Sequence, residues 1–397
     1  MLQVRSRLWL PFTQMQSFDA NARTFIRGEG TTLTDARGNR VYDAVSSIWT
    51  TIHGHGHPAI VAAIATQAAT LDHATTLGAS NPVAEELAQQ LCAVAGMDYA
   101  FFASDGASAI EASLKMALQY WQHAAQPWRT RFVRLTDAYH GDTSGAMSVS
   151  GISVFKTRFG PVTFESLPYD DESVLRQPDI AAIIVEPLVQ AAAGMRVIPT
   201  ARYSMLRACT PLVIVDEIAT GFGRTGTMFG FEQLGLRPDI VTVGKGLTGG
   251  SLALSATLTT ERIFDAFLGD AGDRKQFFHG HSYAGNPIAC AAALASLQLF
   301  ARERTLENAR MLGERIESHL DAVRDRAFVR DARRVGTMTG IELASERLGA
   351  KASEVANGLY ERGHFTRPIG DVVQFVPPLS SSMEEIDAFF AALLAEL

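Results

Sequence analysis

The sequence predicts an α/β protein: a large domain built on a mostly parallel sheet between layers of helix, and a smaller α+β domain beside it. Three observations predict this. The 397 residues suffice for more than one domain. The middle of the chain alternates short β-rich runs with helical stretches, and the C-terminal part turns to long amphipathic helical stretches.

Residues 1–50 form an N-terminal segment that joins the small domain, with a hairpin over Thr32 to Asp43 turning near Arg37-Gly38-Asn39. Residues 51–295 form the large domain. Within it Tyr99 to Phe102 reads as a strand, and Ile110 to Gln122 has helical spacing after a small-residue turn. Further strands are expected at Arg131 to Leu135, Ile180 to Val185, Pro211 to Val215 and Ile240 to Val243. Strands separated by helices imply a parallel sheet covered on both faces. Long amphipathic helical stretches from Pro287 to Val323 lead into the C-terminal small domain, 296–397, which also carries the runs Val335 to Leu343 and Val372 to Val376.

Composition narrows the function classes. The chain is 47% hydrophobic and 19% charged, and no apolar run approaches the roughly 20 residues that span a bilayer. Arg5 and Arg7 are followed by only Leu8-Trp9-Leu10 before Pro11, too short for a secretory signal, so a cytoplasmic location is expected. Cys92, Cys209 and Cys290 are odd in number and widely spaced, which suits buried thiols better than disulfides. A net charge of -7 with scattered basic residues argues against a nucleic-acid surface and leaves small molecules as partners.

Ligands of open α/β sheets sit beyond the carboxyl ends of the strands, and polar residues follow strand runs at three places. Ser104-Asp105-Gly106-Ala107-Ser108 opens a helix with small residues, a cradle suited to phosphate. Asp216-Glu217 follows four apolar residues, and Lys245 follows Val243-Gly244. Alone, an Asp or a Lys is usually a surface ion-pair partner. An acid and a lysine at one sheet edge are, however, the two groups that pyridoxal-phosphate (PLP) chemistry requires: the lysine to hold the aldehyde, the acid to keep the ring nitrogen protonated.

The run Ile214-Val215-Asp216-Glu217-Ile218-Ala219-Thr220-Gly221-Phe222-Gly223-Arg224-Thr225-Gly226, with Pro238-Asp239-Ile240 and Gly244-Lys245, resembles class III PLP-dependent aminotransferases. Family-like segments extend along nearly the whole chain, among them His53-Gly54-His55, Tyr139-His140-Gly141-Asp142-Thr143, Glu186-Pro187 and Gly285-Asn286-Pro287. The resemblance implies PLP fold type I with a seven-stranded sheet, Lys245 as the catalytic lysine and Asp216 at the pyridinium nitrogen. It implies phosphate binding by Gly106 and Ala107, and Tyr139 stacked on the ring. His281 and Ser282 would complete the cofactor site, Ser282 by reaching the phosphate of the partner subunit, and so imply a homodimer with active sites at the interface. The family often has Thr at position 282, but serine offers the same hydroxyl.

Four segments, Leu8 to Met15, Ser46 to Trp49, His140 to Val149 and Thr366 to Gly370, resemble the branch of the family that aminates 8-amino-7-oxononanoate in biotin biosynthesis. That likeness implies a substrate pocket of Phe12, Ile48, Trp49, Tyr139, Gly280 and Arg367, with Arg367 binding the keto-acid carboxylate. Members using S-adenosylmethionine as donor carry Tyr where this chain has Phe12 and Trp-Trp where it has Ile48-Trp49. A smaller lysine-using branch shares the Leu8 to Met15 opening and the Phe277 to Tyr283 run, and the sequence leans that way. Another ω-aminotransferase, an aminomutase or a racemase would use Lys245 and Asp216 equally well.

The remaining marked residues have plainer readings. His53, His55, His57, His279 and His281 invite a metal site, but neither run has an aligned carboxylate or cysteine, so none is expected. Trp121 falls on a helix and is expected in the core, and Tyr169-Asp170-Asp171-Glu172 reads as a solvated loop.

Overall fold

The structure, a computed structural model, describes residues 7–18 and 23–397, so Arg5 and part of the N-terminal segment lie outside the described residues. The central sheet has seven strands in the order Tyr99–Ala103, Ser255–Thr259, Ile240–Val243, Leu212–Asp216, Ile180–Val185, Arg131–Arg134, Leu167–Pro168. Only Ser255–Thr259 runs antiparallel to its neighbours.

Ser255–Thr259 and the two-residue Leu167–Pro168 are additions to the strands expected from sequence. The first was hidden by its hydroxyls. Every residue of Ser-Ala-Thr-Leu-Thr is buried, because the hydroxyls of Ser255 and Thr257 donate to the Asp105 and Ala109 carbonyls at 2.6 and 2.8 Å. Polar groups with such partners cost little to bury, so the strand needs no apolar run.

Both faces of the sheet are covered, which is why Ile180–Val185, Leu212–Asp216 and Ile240–Val243 are buried at every position. On one face Ile184, Ile214 and Ile240 pack against Ile110, Leu114 and Ala117 of helix Gly106–His123. On the other, Val213, Val215, Val241 and Val243 meet Leu87 and Leu91 of helix Pro82–Ala95. Trp121 is in this core as expected, its indole N–H donating to the Ala181 carbonyl at 2.8 Å. Trp9 and Trp128 are exposed.

The helical stretches expected from Pro287 to Val323 are two helices, Pro287–Arg302 and Thr305–Arg324. The break falls at Arg304, whose φ of +53° is left-handed. The expected 295/296 boundary lies inside the first helix. The second packs on the small-domain sheet, Val329–Val335, Met338–Leu343 and Val372–Phe375, whose core also takes helices Ala350–Glu361 and Met383–Glu396.

The N-terminal hairpin belongs to a separate four-stranded sheet. Its strands Thr32–Asp35 and Arg40–Asp43 pair antiparallel, and the Asp35 carboxylate closes the turn by accepting the Arg37 and Asn39 N–H groups at 2.9 Å each. Strand Phe25–Glu29 flanks the hairpin on one side, and His364–Phe365 pairs parallel with it on the other. One four-stranded sheet thereby takes strands from both ends of the chain.

One expectation is corrected. Tyr169 is buried in the large core with the Arg202 guanidinium 4.8 Å from its ring centroid, while Asp170, Asp171 and Glu172 are exposed. An aromatic beside three carboxylates can anchor the segment they solvate. Cys92 and Cys290 are buried and Cys209 is half-buried, all three free. Among the described residues no helix is long and apolar enough to cross a membrane.

Arg224 ties the parts together. Its fully buried guanidinium donates to the Thr51 carbonyl at 2.8 Å and the Pro377 carbonyl at 2.6 Å, joining the end of the N-terminal segment to the C-terminal domain. Replacing it with Leu strands two buried acceptors, so Arg224→Leu should lower unfolding free energy by about 3 kcal/mol in a denaturant titration. An unchanged midpoint would deny the linkage.

Candidate active site

Strand Leu212–Asp216 pairs in parallel with Ile240–Val243, with Ile214 opposite Ile240 and Asp216 opposite Thr242. Their carboxyl ends therefore share one sheet edge, and Asp216 and Lys245 line the same cavity of about 460 Å³. Lys245 opens a short 3-10 turn with φ +38°, a strained value for a side-chain-bearing residue.

Asp216 is buried and fixed from two sides. Its Oδ1 accepts the Ile218 N–H at 3.0 Å, and its Oδ2 lies 2.6 Å from Nδ1 of the buried His140. Nε2 of that imidazole has no partner among the described residues. His140 stood in the sequence only as part of the Tyr139 to Thr143 motif; its contact with Asp216 gives it a role. Glu186, also on the cavity wall, accepts the Tyr139 N–H at 3.2 Å and the Gln190 amide at 3.4 Å. Burial, reinforced by the neighbouring Asp216 charge, pushes the Glu186 carboxyl well above the usual carboxylate range. Burial also lowers the Lys245 ammonium, against the opposing pull of Asp216 and Glu186.

Gly106 and Ala107 begin helix Gly106–His123, where backbone N–H groups lack partners within the helix. Asp105 caps it by accepting the Ser108 N–H at 3.0 Å. Close packing demands glycine around this end. A Cβ on Gly106 would sit 3.0 Å from the Ile218 side chain, and one on Gly141, whose φ is +127°, would fall 2.6 Å from Cβ of Ala107. The result is a backbone-lined cradle next to an aromatic wall, Tyr139, whose hydroxyl donates to Asp142 at 2.8 Å. Burial, then that carboxylate, raises its phenol, so the ring stays neutral.

A second space of about 470 Å³ abuts the first and shares Trp49, Tyr139, Ala192 and Lys245 with it. Phe12, Ile48, Phe155 and Arg367 complete its expected and unexpected walls, with Gln374 behind them. Phe155 and Gln374 carry no local motif, and no sequence signal marked them. Phe155 links Phe12 and Tyr139 edge-on, with ring centroids 5.4 and 5.7 Å away.

Ile48 and Trp49 reach the cavity from a left-handed turn. Ser46, Ser47, Ile48 and Trp49 have φ of 49, 48, 63 and 67°. The Ser46 hydroxyl donates to the Val376 carbonyl at 2.7 Å, the Ser47 hydroxyl to Asp43 at 2.9 Å, and the Trp49 indole to Gln374 at 2.9 Å. Side chains thus hold a backbone shape that Ramachandran sterics oppose.

Gly280, His281 and Ser282 do not line either space in this chain. They lie in the loop 275–286, where Ser282 is exposed and His281 Nε2 is buried without a partner among the described residues. The other histidines have side-chain partners: His53 with Ser296 at 3.2 Å, His55 with Asp43 at 2.8 Å, His57 with Glu303 at 3.1 Å and His279 with Lys115 at 3.2 Å. Among the described residues no group of three or more His, Cys, Asp or Glu side chains could hold a metal.

A backbone cradle for phosphate, a buried carboxylate, a flat aromatic and an amine of lowered basicity together fit PLP. Comparison with known proteins agrees. The family model described as aminotransferase class-III matches residues 16–397. An adenosylmethionine-8-amino-7-oxononanoate aminotransferase of Anoxybacillus flavithermus is 40% identical, covering 98% of this chain and 94% of its own. The crystal structure of an enzyme with that same description from Methanocaldococcus jannaschii superposes with TM-score 0.92 at 38% identity, over 98% of this chain and 96% of that one. A PLP-bound amine transaminase from an uncultivated Pseudomonas species gives 0.93 at 32% identity, over 99% and 98%.

Glu217, next to Asp216 in sequence, gives a pH test of the buried sheet edge that carries the site. Its carboxylate accepts the Thr220 hydroxyl at 2.6 Å and the Phe231 N–H at 2.8 Å, yet burial raises its pKa from 4.5 to about 7. The folded state then holds the proton more tightly than the unfolded one, so stability is full below pH 4.5 and falls as pH rises to about 7. The loss should be about 3 kcal/mol, and Glu217→Gln should remove it, giving a more stable protein at pH 8. Urea titrations of both proteins across that range check this; parallel pH curves would refute it.

Proposed function

The chain belongs to the class-III aminotransferase family, and we propose that it transfers an amino group to 8-amino-7-oxononanoate, giving 7,8-diaminononanoate. The observation that carries this reading is the apolar space abutting the Lys245 cavity with Arg367 among its lining groups. A keto-acid with a long methylene chain needs such a surface: aromatic walls for the chain and a guanidinium for the carboxylate.

The residues divide the work. Gly106 and Ala107 would offer N–H groups to the phosphate of PLP, Asp216 would hold its ring nitrogen, and Tyr139 would supply the flat wall. When bound, PLP acts as an electron sink that stabilises negative charge on the substrate carbon. Asp216 sustains that by keeping the ring nitrogen protonated, and the His140 contact at 2.6 Å holds the carboxylate in place. Lys245 Nζ, its basicity lowered by burial, accepts a proton from the substrate carbon and returns it during transfer. The apolar walls, Trp49, Phe155 and Ile48, exclude water from that exchange.

For the donor we favour lysine over S-adenosylmethionine. Phe12 offers no hydroxyl, and Ile48 leaves Trp49 as the lone indole on that wall, so the site has little with which to grip an adenine. The reading extends to a cytoplasmic homodimer. Its support is the cluster Leu77, Phe278 and Tyr283, exposed beside Gly280 and Ser282, a surface that a second copy would cover while His281 and Ser282 complete its cofactor site.

Two measurements test this. PLP-loaded protein mixed separately with lysine and S-adenosylmethionine should lose its cofactor absorbance band with lysine alone; loss with S-adenosylmethionine alone would reverse the donor assignment, and loss with neither would remove the biotin reading. Lys245→Ala should abolish transfer while the fold persists by circular dichroism, and Arg367→Ala should raise KM for the keto-acid roughly 10- to 100-fold, as expected for one charged hydrogen-bonding partner. Retained turnover in the first variant, or unchanged KM in the second, would count against these roles.

A further inference from the structure

Gln374 lies on strand Val372–Phe375, which pairs only with Met338–Leu343 and is thus an edge of the small-domain sheet. Its neighbours Val373 and Phe375 point into the small-domain core, so the pleat turns Gln374 to the opposite face, toward the substrate space. There it is completely buried. Its Oε1 accepts the Trp49 indole N–H at 2.9 Å, and its Nε2 donates to the Arg367 carbonyl at 2.5 Å. The Thr366 hydroxyl donates to the Gln374 carbonyl at 2.6 Å, and Ile369 and Val372 exchange backbone hydrogen bonds at 2.9 and 3.0 Å.

The chemistry of this bridge is selective. An indole N–H can only donate and a carbonyl oxygen can only accept, so the side chain between them must accept at one end and donate at the other. A neutral amide does both, and one orientation of the amide satisfies both contacts. Trp49 comes from the N-terminal left-handed turn and Arg367 from the turn before strand Val372–Phe375. Among the described residues no other side chain hydrogen-bonds the Trp49 indole, whose ring centroid lies 5.3 Å from Lys245 Nζ, and none pairs with the Arg367 guanidinium, which leaves it available to substrate.

We propose that Gln374 is a positioning residue for acceptor selection: it locks the Trp49 indole to the Arg367 turn, setting where a substrate carboxylate must sit relative to Lys245. The proposal rests on the reading of Arg367 as the carboxylate-binding residue. Loss of the bridge keeps Lys245 and Asp216 themselves in place and loosens the carboxylate end, so binding of carboxylate-bearing acceptors suffers more than that of carboxylate-free ketones.

The test uses PLP-loaded full-length protein, wild type, Gln374→Leu, Gln374→Glu and Trp49→Phe. Each is assayed with 8-amino-7-oxononanoate and with the matching amino-ketone lacking the carboxylate, and each is titrated calorimetrically with nonanoate, an unreactive carboxylate. Gln374→Leu should raise KM for the keto-acid and Kd for nonanoate about tenfold, the scale of one lost hydrogen-bonded contact, and should raise the amino-ketone KM by distinctly less. Gln374→Glu should behave nearer to wild type at pH 6 than at pH 8, because only the protonated acid can donate to the Arg367 carbonyl. Adding Trp49→Phe to Gln374→Leu should cost less than the two single effects combined. Equal losses for both ketones, or a lower melting temperature with unchanged selectivity, would reduce Gln374 to a structural part. A preference for the keto-acid kept by Gln374→Leu overturns this proposal alone; a wild type without that preference overturns the Arg367 reading and this proposal together.

Discussion

The register of Leu212–Asp216 against Ile240–Val243 sets where every chemical group of the site can be. Side chains alternate along a strand, so a slip of one residue would turn Asp216 from the cavity into the helical layer. The slip is prevented by packing: Ile214 and Ile240 belong to the core under helix Gly106–His123, while Val213, Val215, Val241 and Val243 belong to the core on the other face. Because both faces are filled with β-branched residues in one order, the carboxylate and the lysine arrive at the same edge. The helix that packs against this sheet brings Gly106 and Ala107 there as well.

A second part of the site is held differently, by side-chain hydrogen bonds against backbone preference. Four successive left-handed residues, Ser46 to Trp49, cost roughly 1–2 kcal/mol each for side-chain-bearing residues. The turn persists because its side chains are tied to Val376, Asp43 and Gln374. Two of those three partners lie in the C-terminal domain and the third in the N-terminal hairpin. The substrate wall is thereby assembled from chain ends more than 300 residues apart, and its shape depends on how those ends pack together.

These two modes of construction explain what could be read in the sequence. Asp216 and Lys245 follow apolar strands, and Gly106 follows another, so sheet physics located them before any contact was known. Phe12, Ile48, Trp49 and Arg367 lie far from one another in sequence, and only resemblance to a family brought them into one pocket. Gln374 and Phe155 had neither aid: one is a polar residue in an apolar strand, the other an aromatic in a short irregular helix. Strand Ser255–Thr259 escaped notice for a related reason, since its hydroxyls are satisfied by the backbone of the neighbouring helix and segment, which pattern cannot register.

The buried acids at and beside this sheet edge are sorted by environment. Asp216, Glu186 and Glu217 are all buried, but they do not share one fate. Asp216 has an imidazole at 2.6 Å and a backbone N–H at 3.0 Å, partners suited to a negative charge. Glu186 receives a backbone N–H and a distant amide, and burial drives it toward the neutral acid. Glu217, outside the cavity lining, takes its contacts from Thr220 and Phe231, and burial pushes its carboxyl up to about 7. Two ionised carboxylates beside one lysine, Asp216 and Glu186, would hold its ammonium form too firmly for proton transfer. With Glu186 driven toward the acid form, the opposing pull on Lys245 weakens, and burial can lower its basicity as the chemistry requires.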